Sequence, residues 1–190
     1  SDHEAPKKIA WIQCVGSRDK TCGNEYCSSV CCMYATKEAI MTAEHEKDAK
    51  CTIFFNDIRA FGKGFEQYYV SAEKEKGVRY VRGIISTIRE MQRTRNLLIK
   101  YASDDGEVKE EEFDLIVLSV GLKPSAGTKE LSEVAQIDLD SHGYALTSTF
   151  GPNESSRPGI FAAGAFLAPM DIPESVMTAS SAAAAAAELV

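Results

Sequence analysis

Six cysteines, at positions 14, 22, 27, 31, 32 and 51 of a 190-residue chain, are the side chains best suited to chemistry. Thiolates act as nucleophiles, redox centres and soft metal ligands. In a reducing compartment, clustered thiols serve such chemistry more often than they form structural disulfides. Cys27 and Cys31 are four residues apart and share one face if their segment is helical. Cys14, at the carboxyl end of a strand, can meet the N-terminus of the helix that the strand feeds. Unpaired N–H groups and the positive end of the macrodipole at that terminus favour thiolates. A cuboidal iron–sulfur cluster needs four of them. The spacing Cys-x12-Cys-x3-Cys-Cys is neither the ferredoxin run nor a pair of zinc knuckles. Spacing alone therefore leaves a metal or redox site of open type, with zinc and scattered buried cysteines as the competing readings. Cys22 reads as a substitute ligand or an exposed spectator, and Cys51, opening a strand, as a core residue.

The elements that must position these thiols are legible from hydrophobic pattern. KIAWIQCV (8–15) is a short, almost wholly apolar run, as expected of a strand buried on both faces of a parallel sheet. The segment from Ser28 to His45 has helical apolar spacing, with Ser28 or Ser29 as N-cap. CTIFFN (51–56) is a second strand, 61–76 a second helix and GVRYVRG (77–83) a third strand. The expected class is α/β: a Rossmann-like βαβαβ layer with right-handed crossovers. An antiparallel meander follows over 85–91 and 96–103, with a turn at Asp104-Asp105-Gly106. FDLIVLSVG (113–121) returns to a buried strand. A helix is expected over 128–135, an exposed region over 138–149, a loop over 151–159 and a strand of small residues over 159–165. An Ala-rich helix follows, with Pro173 in its first turn. The chain ends inside that helix without a C-cap, as expected of a piece of a longer protein.

Composition narrows the partners. The net charge is -7 and no basic run exceeds two residues, which gives no footprint for nucleic acid. No apolar segment follows the polar N-terminus, so neither a signal peptide nor direct membrane insertion is expected, and the compartment is read as cytoplasmic. His3, His45 and His142 form no hydrolytic constellation with Ser or carboxylates.

Five blocks carry a family resemblance: IQCVGSRD (12–19), YCSSVCCMYATKEA (26–39), DIRAFGKGFEQYY (57–69), LIVLSVGLKP (115–124) and GIFAAGAFLAPMDIPESV (159–176). Together they resemble the flavin-containing A subunit of heterodisulfide reductase and related flavoprotein subunits of the quinone-interacting membrane-bound oxidoreductase complex. The resemblance implies a thioredoxin-reductase-like flavoprotein core. Residues 1–112 would be its former pyridine-nucleotide domain, carrying the cysteines, and 113–190 the C-terminal portion of a truncated FAD-binding domain. The glycine fingerprint G-x-G-x-x-G of the superfamily's first βα turn is absent; CVGSRDKTCGNEYCSSVCC stands in its place. In such relatives Cys14, Cys27, Cys31 and Cys32 would instead hold a [4Fe–4S] cluster.

The last block is similar to the superfamily's C-terminal flavin segment. There Gly164 and Ala165 take the Gly-Asp place, and Asp171, Ile172, Pro173 and Val176 would line the ring of FAD. Met170 stands where relatives are expected to carry a basic residue. Gly121 lies in a loop that approaches the cofactor in similar proteins, whereas Arg59 and Lys63 read as surface or interface residues. The implied function is electron transfer between FAD and the cluster, with other subunits of a complex as partners and a homodimer as a further option. Electron bifurcation is a hypothesis on the same footing. The superfamily's N-terminal glycine-rich FAD-binding βαβ is not in this sequence, so this piece alone is expected to hold FAD weakly and to be inactive. The rival reading is a zinc-stabilised, non-catalytic interaction domain.

Overall fold

In a computed structural model of the chain, which describes residues 5–189, the apolar run is strand β1 (Lys8–Val15). β1 pairs in parallel with β2 (Lys50–Phe55) through Ile9↔Cys51 and Trp11↔Ile53, and with β6 (Leu115–Val120) through Ile9↔Leu115 and Trp11↔Val117. β3 (Arg79–Glu90) pairs in parallel with β2 and then antiparallel with β4 (Leu97–Ser103), which pairs with β5 (Val108–Phe113). The six strands run β5-β4-β3-β2-β1-β6. Helices α1 (Cys31–His45) and α2 (Phe65–Lys74) make the two crossovers. The expected βαβαβ layer and meander are both present, as one continuous sheet.

Alternation along β1 explains why its run Ile9–Ile12 is wholly apolar. Ile9 and Trp11 pack with Ile53 against Ala35, Ala39 and Ile40 of α1 and Ala72 of α2. Ala10 and Ile12 face the other way, toward Phe54, Ile99, Tyr101 and Phe113. A fully buried Phe or Ile of this kind contributes roughly 1.5–3 kcal/mol.

Several expectations need correction. The third parallel strand and the first meander strand are a single strand, because Gly83 does not end it. A Cβ at Gly83 would stand 2.5 Å from the Ala102 carbonyl, so the glycine admits the close approach of β4. α1 begins at Cys31 rather than Ser28, and neither serine caps it. The Ser28 hydroxyl accepts the Leu122 N–H at 2.9 Å and lies 3.0 Å from the Ser17 hydroxyl, while Ser29 is left-handed, with φ 65°. α2 starts after Gly64, whose φ of 80° breaks the helical path.

By contacts the chain divides into two units. One holds residues up to Gly16 together with Cys31–Gly121; the other holds Ser17–Val30 together with the chain from Leu122 onward. The division after residue 112 expected from sequence falls inside β5, one residue before its end at Phe113. β6 hydrogen-bonds to β1, which keeps it in the first unit.

The second unit contains α3 (Thr128–Ala135) and α4 (Ile172–Ala187). No strand forms over 159–165. Phe161 makes a single bridge to Glu154, and Gly164–Phe166 is a 3-10 turn in which Gly164 is left-handed, with φ 64°. The buried Asn153 amide ties this region together, donating to the Ala162 carbonyl at 2.9 Å and the Thr178 carbonyl at 3.0 Å. Within 138–149, Tyr144 and Ala145 are buried rather than exposed, because the Asp140 carboxylate accepts the N–H groups of His142 and Tyr144 and folds the turn inward. Among the described residues no helix is long and apolar enough to cross a membrane.

Candidate cofactor sites

The carboxyl end of β1 is irregular in a way that matters for Cys14. Ile12 pairs with Leu118 and Val15 with Val120, so Gln13 and Cys14 together stand opposite Ser119. This is a β-bulge, a device that breaks alternation and re-aims side chains beside functional sites. Cys14 sits in it with φ 60°, a left-handed conformation that costs a non-glycine residue about 1–3 kcal/mol.

Cys31 and Cys32 open α1 and diverge. The Cys31 thiol reaches the Val120 carbonyl at the end of β6, and the Cys32 thiol reaches the Asp57 carbonyl just past β2, each at 3.8 Å. β6 and β2 flank β1, so the two thiols straddle the end of the strand that carries Cys14. The crossovers from β1 to β2 to β3 run to one side and β6 lies on the other, which makes this the sheet's topological switch point, where open α/β sheets bind ligands. The N-terminal turn of α1 adds the partial positive charge of the helix dipole there. The Tyr34 hydroxyl donates to the Val120 carbonyl at 2.8 Å; burial first, and then the Cys31 thiol, raise its pKa.

The other cysteines stand differently. Cys27 belongs to the segment grouped with the second unit, and its sulfur accepts the Ser29 N–H at 3.3 Å. Cys22 is exposed and donates to the Asp19 carboxylate at 3.4 Å. Cys51 is buried in β2, and desolvation pushes its thiol up to about 11. None of the six forms a disulfide.

Among the described residues no three His, Cys, Asp or Glu side chains gather closely enough to hold a single ion. Tetrahedral zinc would draw its thiolates to about 2.3 Å from one point. A cuboidal cluster offers each thiolate a separate iron, so its ligands stand further apart. The all-thiol donor set of Cys14, Cys31 and Cys32 at a helix N-terminus fits a cluster in its chemistry.

The flavin candidates lie mainly in the second unit. Gly164 donates its N–H to the Thr178 hydroxyl at 3.0 Å, and Ala165 follows it in the 3-10 turn. The Asp171 carboxylate is committed to capping α4: it accepts the Glu174 N–H at 2.8 Å, while the Glu174 carboxylate accepts the Asp171 N–H at 3.0 Å. Pro173 lies in the first turn as expected, and Ile172 and Val176 are 80% and 61% exposed. Gly121 belongs to the first unit, donating its N–H to the Val15 carbonyl. Sequence reasoning passed over Gln13, whose only signal is a polar residue inside an apolar strand.

A family model for pyridine nucleotide-disulphide oxidoreductases matches residues 33–186. The chain belongs to this family. The match begins just beyond Cys32, so the cysteine loop is not part of what the family model shares. Similarity to curated proteins runs through that loop. The chain is 44% identical over 191 residues to the second iron–sulfur A subunit of the CoB–CoM heterodisulfide reductase of Methanopyrus kandleri, covering 98% of this chain. It is 42% identical over 190 residues to the A subunit of the H2/formate:CoB–CoM heterodisulfide,ferredoxin reductase of Methanococcus maripaludis, again over 98% of this chain. It spans 29% of the length of each. Among solved structures, LpdA from Mycobacterium tuberculosis shares the fold with a TM-score of 0.51 at 16% identity, over 91% of this chain and 33% of that one.

Proposed function

We propose that the chain is part of a heterodisulfide-reductase-like oxidoreductase in which electrons pass between FAD and a [4Fe–4S] cluster ligated by Cys14, Cys27, Cys31 and Cys32. When bound, FAD would supply two-electron chemistry and the cluster one-electron steps. The observation that carries the reading is the trio Cys14, Cys31 and Cys32 at the carboxyl end of the central strand, where the superfamily's glycine fingerprint is missing. The bulge fixes Cys14 at the strand end, and the first turn of α1 presents Cys31 and Cys32 with N–H groups that favour thiolates. On the flavin side, the capped N-terminus of α4 supplies partial positive charge, Gly164 offers backbone without a side chain, and Ile172 and Val176 offer apolar surface. The names of the relatives, which call them subunits, support other members of a redox complex as partners.

The test is anaerobic reconstitution of the full-length protein, unaltered and with Cys31→Ser. The unaltered protein is expected to be brown and to hold about four irons and four sulfides per chain at this site. The Cys31→Ser protein should lose most of that iron while keeping its flavin. A colourless protein with one zinc per site would establish the interaction-domain reading instead.

A further inference from the structure

Gln13 is buried, with a residual exposure of 8%, and among the described residues neither its side-chain oxygen nor its nitrogen has a hydrogen-bond partner. A buried amide left in this state costs free energy that an apolar residue of the same size would avoid. Its position is specific. Ile9 and Trp11 of β1 face α1, and Gln13 follows them in the bulge, one residue before Cys14. Ser119, the residue opposite, is also buried and without a hydrogen bond of good geometry, but it lies beside the Tyr34 hydroxyl. Among the described residues, Gln13 is therefore a buried polar side chain at this end of β1 whose donor and acceptor are both unclaimed.

We propose that the Gln13 side-chain amide donates a hydrogen bond to a sulfur of the cluster site, as a positioning residue that raises its reduction potential. The inference rests on the cluster reading above. Reduction adds negative charge to the sulfurs, and a donor aimed at them stabilises the reduced form more than the oxidised one. Gln13 moves no proton and no electron.

The experiment is a redox titration followed by electron paramagnetic resonance on the anaerobically reconstituted full-length protein, unaltered and with Gln13→Leu, alongside iron content and thermal unfolding of the iron-free forms. With full iron content, Gln13→Leu should shift the reduction equilibrium about tenfold toward the oxidised state, about 59 mV lower for a one-electron couple. The iron-free variant should unfold at a higher temperature than the unaltered protein, because an unpaired buried amide has been removed. Gln13→Met, unbranched and apolar, repeats the measurement if the Leu variant takes up no iron. A potential unchanged within twofold in the equilibrium constant, at full iron content, overturns the role of Gln13 and leaves the cluster intact; an amide that merely meets buried water gives that result. If the unaltered protein binds no iron, the cluster reading falls and Gln13 with it.

Discussion

Cys51 shows that a cysteine in this chain can be chemically quiet. It is enclosed in β2 by the core shared with Ile9 and Ala39, and burial raises its thiol from an ordinary 9 to about 11. Because the folded protein holds this proton more tightly than the unfolded chain, its effect on stability is flat below pH 9. Stability is then lost as pH rises toward 11. At 1.36 kcal/mol per unit the loss is at most roughly 3 kcal/mol. Tyr80, half-buried and pushed up to about 12 chiefly by desolvation, adds a second loss at higher pH. Denaturant unfolding measured from pH 8 to 10.5 should show a declining midpoint that flattens in Cys51→Ala, even though that variant starts lower for lack of packing. Equal slopes in the two proteins would mean that Cys51 does not carry the alkaline effect.

At the scale of elements, α4 owes its start to a capping box that sequence reasoning placed in the flavin site. Asp171→Ala removes the acceptor for the Glu174 N–H and should destabilise the helix by about 1 kcal/mol. Amide hydrogen exchange at Glu174 and Ser175 should accelerate about fivefold, with little change in α1; unchanged exchange would show that Pro173 and the Ala-rich body suffice. The parallel layer was readable in advance because its strands are buried on both faces and its helices keep one apolar stripe. What stayed hidden depends on contacts distant in sequence. Gly83 reads as a strand end until the Ala102 carbonyl is seen against it. GIFAAGA has strand composition but folds as a bridge and a turn held by Asn153 and Thr178. Spacing singles out the cysteines as candidates, whereas the bulge that sets Cys14, and the buried amide beside it, arise from a register shift that no local pattern encodes.

For the whole molecule, the two edges of the sheet are treated differently. β5, at one edge, carries Lys109, Glu110, Glu111 and Glu112, and charge of this density discourages pairing with a further strand. β6, at the other, reads LIVLSV with no charge, and Leu115, Leu118 and Val120 are exposed. An uncharged apolar edge strand is a template for another strand. The 190-residue chain on its own is therefore expected to self-associate as its concentration rises, by size-exclusion chromatography with light scattering. Leu118→Lys should shift it toward monomer by placing a charge on a side chain that is 50% exposed and outside both cores. The curated relatives are more than three times longer than the stretch they share with this chain, and in a protein of that length further chain would be available to cover such an edge. If so, amide exchange over 116–120 will be slower in the full-length protein than in the chain alone. Self-association unaffected by Leu118→Lys would move its origin to other exposed apolar residues, with Phe150 and Val134 next to test.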